Sequence, residues 1–272
     1  MNQPKDLRDD IFATVQHREF TANVTVWDAG VICGMRCVRE TLESLGAVIR
    51  HMENDGAALA AGDLVLSFTA TPKVIAQAED MVLGYIAKPS GIATAARRAV
   101  DLAQGRLKVV SGAWKKMPRE FKGLLREAIT AGGAAVRITD QPFVYLDKNY
   151  VRILGGVGPT LAAVSGLNSM VKAIQLRGEI EDIAAETRAA LAGNARILMV
   201  DTGSRTDLAT VVQTVRDLGA REKVSIAFAG QVKIADIPDM LRLDVDILDV
   251  GTQIIDAPLL DLKLDVVCTH RD

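Results

Sequence analysis

The sequence predicts an α/β protein whose larger part is a parallel sheet curled into a barrel, preceded by a mixed α/β module. Three observations carry that expectation. From Leu107 onward, short apolar runs alternate with segments of helical apolar spacing, the pattern of repeated strand–loop–helix units. The units are numerous enough to favour a barrel over an open sheet. A chain of 272 residues, 49% of them hydrophobic, can bury one large core or two smaller ones.

The elements before Leu107 form the mixed module. Residues 20–31 (FTANVTVWDAGV) alternate and are rich in β-branched side chains, so they predict a strand ending at Asp28-Ala29-Gly30, with Trp27 read as core. Residues 35–45 have helical spacing and stop at Gly46. Cys33 and Cys37, four apart, read as packing residues of that region. Residues 47–52 and 64–68 are short strands, separated by the turn signals Asp55-Gly56 and Gly62-Asp63. Thr71-Pro72 opens a helix that runs from Lys73 toward Ile86. Lys88-Pro89 reads as a break, after which residues 90–104 form an amphipathic helix ended by Gly105.

The barrel half follows in order. Strand 107–110 precedes a helix at 121–131, and a strand at 134–138 runs into Thr139-Asp140. A third strand at 143–146 is followed by a helix at 158–167. Strand 172–176 precedes helix 179–191, and strand 196–200 ends at Asp201 before helix 207–218. Strand 224–228 ends at Ala229-Gly230 before helix 234–241, and strand 245–250 ends at Gly251. The glycine run at 155–158 lacks the lysine and hydroxyl of a phosphate-binding P-loop and reads as a connection.

The polar residues at these strand ends are Trp114 and Lys115, Arg137, Asp147 or Lys148, Gln175, Asp201, Ala229-Gly230 and Gly251. A barrel brings all of them to its carboxyl-terminal face, where ligands bind. Lys115 and Lys116 side by side favour an anionic, phosphorylated ligand. Cations at the early strands and a carboxylate later suit a phosphorylated sugar with Mg²⁺. Small residues at the last two strands let backbone N–H groups approach a phosphate. Taken singly, each has a bland explanation as a solvated basic turn, a turn glycine or a helix N-cap. As an ordered set they point to a site.

Composition narrows the partners. A net charge of −2 and a pI near 6.0 give no basic field for nucleic acid. No apolar run reaches membrane-spanning length, and MNQPKDLRDD is not a signal peptide. Three cysteines cannot all pair, and three scattered histidines form no metal-binding spacing. These features predict a reduced, cytoplasmic protein.

Longer segments carry a resemblance. SGIATAARRAVDLA is similar to the domain-junction helix of the quinolinate phosphoribosyltransferases (nicotinate-nucleotide pyrophosphorylase, carboxylating), commonly SGIAT-x-TRR. AWKKMP falls on that family's TRKTxP loop, AGGAAVR on GGGxNHR, and LDKNYV on IKDNHV. IQL falls on VEV, MVDT on LLDN, AGQ on SGG, and VDILDVGT on VDxxxVG. The resemblance implies an N-terminal α/β sandwich packed on an open (β/α) barrel of the type II phosphoribosyltransferase kind. It places the sandwich at residues 1–105, joined by 258–272, and the barrel at 106–257. It also implies a homodimer or higher oligomer in which one subunit's sandwich covers the other's barrel mouth.

In that family a pyridine dicarboxylate reacts with phosphoribosyl pyrophosphate and Mg²⁺. The resemblance makes Lys115 the lysine of TRK and Asp201 the acid that holds ribose hydroxyls or metal. Gln175 stands where the family has glutamate, and Lys148 lies one place from the lysine of IKDNH, with Asp147 in register. Gly230 and Gly251 match phosphate loops, with Ala229 replacing a serine. On the acceptor side Arg137 is kept, Val136 replaces histidine, Trp114 replaces arginine, and Asp80 stands where an arginine is expected. The chain thus reads as a phosphoribosyltransferase-like enzyme for a nitrogenous ring other than quinolinate, stacked on Trp114 and recognised by Asp80. A quinolinate enzyme with rearranged clamps, and a non-catalytic relative binding a phosphorylated small molecule, are the alternative readings.

Overall fold

A computed structural model of the chain describes residues 6–270. The first half contains α1 (Leu7–Ile11), β1 (Glu19–Val26), β2 (Gly30–Val31), α2 (Met35–Ser44), β3 (Val48–Met52), β4 (Ala58–Leu59), β5 (Leu64–Ala70) and α3 (Pro72–Ala103). Then come β6 (Lys108–Val110), α4 (Lys122–Ala131), β7 (Phe143–Leu146), α5 (Lys148–Leu154), α6 (Val157–Ala163) and β8 (Val171–Leu176). The chain continues with α7 (Ile183–Ala192), β9 (Ile197–Asp201), α8 (Arg205–Asp217), β10 (Ser225–Ala229), α9 (Ile237–Met240), β11 (Ile247–Asp249), α10 (Thr252–Ile255) and β12 (Leu262–His270). Two compact units result. One runs to Arg97 and takes in Met117–Gly133 and the chain from Asp256; the other comprises Arg98–Lys116 and Ala134–Ile255. Residues 117–133 thus group with the first unit rather than with the strand that precedes them. The end of α4 lies so close to α3 that a Cβ on Gly132 would meet the Ala93 carbonyl oxygen at 2.3 Å.

In the first unit β12-β1-β5-β3 form an antiparallel sheet. Ala22, Val24 and Val26 alternate inward on β1 and share a core with Met35, Val38 and Leu42 of α2 and Ala78, Val82 and Ile86 of α3. The same two-residue period puts Trp27 on the outer side. The strand stops at Val26, and the indole is 62% exposed rather than core. Cys33 is buried as expected, and desolvation pushes its thiol up to about 12, so it packs as a neutral group.

The expected break at Lys88-Pro89 is absent: α3 is one helix of 32 residues with Pro89 inside. A proline there removes the N–H that would bond the carbonyl four residues back, that of Tyr85. The backbone of Gly34 packs against this carbonyl, at φ 105°, and a Cβ on Gly34 would lie 2.0 Å from the Tyr85 oxygen. The backbone of Gly34 thus comes close to the carbonyl that has lost its partner, while the helix runs on through Pro89.

The second unit is the parallel sheet, in the order β6-β11-β10-β9-β8-β7. The expected strand at 134–138 is reduced to one bridge, Ala135 against Val110. Side chains two apart on each strand gather into one cluster, including Val110, Tyr145, Ala173, Met199, Ala227 and Ile247. In a flat sheet β6 and β7, at opposite edges, would be about 24 Å apart at the usual strand spacing. Yet the Lys115 ammonium, just past β6, is 5.4 Å from the Tyr145 ring centroid on β7. The sheet is curled into a barrel, with Ala173, Ala227 and Ala229 among the small side chains of its interior.

Candidate active site

The loop after β6 is pinned at three points. Ser111 N–H bonds the Ala135 carbonyl at 2.9 Å, and Gly112 N–H bonds Asp249 Oδ1 at 3.0 Å. The 3₁₀ turn Ala113–Lys116 follows, and within it the Trp114 indole N–H donates to the Val136 carbonyl at 3.3 Å. The turn leaves Lys115 and Lys116 exposed, with Lys115 over the Tyr145 ring, a cation–π contact. Burial, together with the charges of Asp201, Asp249 and Asp147, raises Tyr145 well above the usual phenol range. Its hydroxyl therefore keeps its proton.

Asp201, the last residue of β9, is the hub. Gln175 Nε2 donates to its Oδ2, and Arg177 Nη1 reaches the same oxygen at 3.2 Å and the Asp201 carbonyl at 2.5 Å. Gln175 Oε1 accepts the backbone N–H of Lys148 at 2.7 Å, so one amide ties β8, β9 and the start of α5 together. Desolvation raises Asp201, while Arg177, Lys148 and Lys116 pull it back down. At LDKNYV, Asp147 caps α5 by accepting the N–H groups of Asn149 and Tyr150, while the charge of Lys148 acts on Asp201.

Asp249 carries the second in-facing carboxylate. Two residues past Ile247, it pairs in register with Val110 on β6. Burial raises it first, and Asp201 adds repulsion, while the Gly112 hydrogen bond, Lys115 and Lys116 favour its charged form.

The glycines at the ends of β9 and β10 touch. Gly203 N–H bonds the Ala229 carbonyl at 3.0 Å, and a Cβ on Gly230 (φ 103°) would lie 2.4 Å from the Gly203 nitrogen. Side chains are excluded from this corner, so a ligand there would meet backbone. Gly251 follows β11, near Ala113.

Glu186 on α7, 2% exposed, accepts the N–H groups of Arg177, Gly178 and Glu179 at 2.8, 2.9 and 3.3 Å. It fixes the turn that presents Arg177 to Asp201. Glu186→Ala leaves three donors without an acceptor and should destabilise the fold by about 2–3 kcal/mol, read as a lowered Tm.

The structure therefore gathers Trp114, Lys115, Lys148, Gln175, Asp201, Ala229, Gly230 and Gly251 at the carboxyl ends of the strands. Arg137 follows the Ala135 bridge and is exposed. Asp80 is an exposed residue of α3 in the first unit, where Arg8 is its ion-pair partner. Asp249, Tyr145 and Arg177 were missed by sequence reasoning. The in/out phase of β11 and β7 could have found the first two, since Asp249 and Tyr145 each lie two residues from an in-facing apolar residue. A depression of about 510 Å³ bordered by Thr139, Ser169, Arg196 and Ser225 lies at the opposite, amino-terminal end of the strands, away from these residues. Among the described residues no group of three or more His, Cys, Asp or Glu gathers to hold a metal.

Comparison with known proteins agrees with this fold. Residues 9–90 match the N-terminal domain of quinolinate phosphoribosyl transferase, and residues 92–265 match its C-terminal domain. A probable nicotinate-nucleotide pyrophosphorylase (carboxylating) of Archaeoglobus fulgidus is 28% identical over 240 residues, covering 88% of this chain and 91% of that protein. One from Methanothermobacter thermautotrophicus is 24% identical, covering 90% and 88%. The crystal structure of NadC from Streptococcus pyogenes superposes with a TM-score of 0.82 at 19% identity, over 98% of this chain and 92% of that one.

Proposed function

Because the chain belongs to the quinolinate phosphoribosyl transferase family, a family of pentosyl-transferring enzymes, we propose that it transfers ribose 5-phosphate from phosphoribosyl pyrophosphate to the nitrogen of a ring other than quinolinate. The observation that carries the transferase reading is the mouth of the barrel. Three lysines, 115, 116 and 148, surround carboxylates 201 and 249, with a glycine corner alongside.

Gly230 and Gly251 receive the 5-phosphate through backbone N–H groups. Lys115 and Lys116 neutralise the pyrophosphate as the C1–O bond breaks and it departs with the bonding electrons. Asp201 steadies the ribose hydroxyls and the positive charge that develops on the sugar. The acceptor nitrogen supplies the pair that forms the new C1–N bond. Gln175 has its amide tied to Asp201 and Lys148, so it sets their spacing. Mg²⁺ entering with the pyrophosphate supplies further positive charge there, and a single half-buried aspartate, Asp201, suits a cation that takes its other ligands from phosphates and water.

Trp114 carries the departure from quinolinate. Its indole is anchored to Val136, so both the arginine and the histidine positions of the resembled acceptor wall lack cations. Losing two charge-assisted clamps would weaken a dicarboxylate by about 3–6 kcal/mol. An aromatic wall suits a flat, less anionic ring, with Arg137 as a further contact. We assign the enzyme to the cytoplasm, in keeping with the unpaired Cys33 and Cys37, and propose that it works as a homodimer; no described helix is long and apolar enough to cross a membrane. A titration of the purified protein with quinolinate tests the acceptor reading. Binding weaker than millimolar is expected, and micromolar binding would restore quinolinate.

A further inference from the structure

Asp249 has no counterpart among the residues the resemblance assigns, yet it sits in the same mouth. Its strand alternates Ile247 inward, Leu248 outward and Asp249 inward, so the carboxylate projects from the barrel wall toward the interior. One oxygen, Oδ1, holds the Gly112 N–H at 3.0 Å. The other, Oδ2, is 3.1 Å from where a Gly112 Cβ would be, so glycine at that position lets the loop close over the acid. The loop fixed in this way carries Trp114, the proposed stacking wall, two residues further on. Lys115 and Lys116 lie close enough to favour the charged acid, but no ion pair takes up its second oxygen among the described contacts.

We propose that Asp249 is a specificity-determining residue: Oδ1 positions the Trp114 loop, and Oδ2 accepts a hydrogen bond from an N–H or amino group on the ring that stacks on Trp114. A carboxylate at the same point on the ring would face Asp249 with like charge and leave an acceptor opposite an acceptor. The inference deepens the functional reading above and rests on it for the identity of the site. It reassigns the acidic recognition of the ring to a residue of the barrel itself.

Asp249→Asn separates the two roles. Its amide oxygen keeps the Gly112 hydrogen bond, while its NH₂ turns the outward group from an acceptor into a donor. The full-length protein is titrated by calorimetry with 3-aminopyridine, benzimidazole, nicotinate and quinolinate, with ribose 5-phosphate and inorganic pyrophosphate present. The wild type should bind the two N–H-bearing rings more tightly than the two carboxylates. Asp249→Asn should weaken the first pair roughly 10- to 100-fold and tighten the second, with an unchanged Tm. Asp249→Ser should erase the preference without reversing it. An unchanged order of affinities in Asp249→Asn, or no ring binding to the wild type, overturns the proposal. Preserved selectivity without pyrophosphate release from phosphoribosyl pyrophosphate would instead count against the transferase reading alone.

Discussion

Asp201→Asn should cut pyrophosphate release by about 10²- to 10³-fold, the usual loss when an electrostatic stabiliser of a developing charge is removed. The substitution keeps the shape of the hub and can still accept from Gln175 or Arg177, but it deletes the charge on which Arg177, Lys148 and Lys116 converge. Its Tm should therefore stay close to that of the wild type, because a carboxylate raised by burial does not stabilise the fold by being ionised. Lys115→Ala should lose activity to a similar degree from the other side of the mouth, through the leaving group. Lys115 is exposed, and its loop is pinned by Gly112 and Trp114 rather than by the ammonium. A steady-state pyrophosphate assay on both variants checks the assignment. Full activity in both would remove Lys115 and Asp201 from the reaction.

Gly34→Ala should be the most damaging small substitution in the first unit. A Cβ there meets the Tyr85 carbonyl oxygen at 2.0 Å, and φ is 105°. Neither the carbonyl, fixed in α3, nor the N-cap of α2 can move freely, because Cys33 N–H is held by Ser90 at 2.9 Å and Met35 N–H by Asp55 at 2.9 Å. Strain and clash together should cost about 3–4 kcal/mol, lowering Tm by roughly 6–15 °C in a chain of this size. Gly84→Ala provides the contrast. It lies inside α3 with nothing within 4 Å of the added methyl group, so it should raise stability by up to about 1 kcal/mol. Thermal melts of the two variants read this directly. Equal Tm values would deny that position 34 must be glycine for its backbone to approach α3 so closely.

The strands of the barrel were legible because each is a short apolar run closed by a polar or glycine residue. Residues 196–201 and 224–230 show this most clearly, and their ends are where Asp201 and Gly230 lie. The helix through Pro89 was not legible. A proline reads locally as a break, yet α3 runs through Pro89 without one. Asp249 was hidden for a related reason. Its alternation with Ile247 carries the facing, but which face is inner becomes evident in the register of β11 against β6 and β10. Trp27 failed in the opposite sense: it was counted with a strand that stops one residue before it. Arg177 looked like the start of a polar loop, because the three N–H groups that make its turn rigid converge on Glu186, nine residues away.

The measurement that bears most directly on the central claim is pyrophosphate release from phosphoribosyl pyrophosphate and Mg²⁺ by the purified chain, compared across quinolinate, nicotinate, aminopyridines and azoles. The account predicts release with an N–H-bearing ring at a kcat/KM at least about tenfold above that for quinolinate, one decade corresponding to about 1.4 kcal/mol. Quinolinate as the best substrate, with release of CO₂, would contradict it.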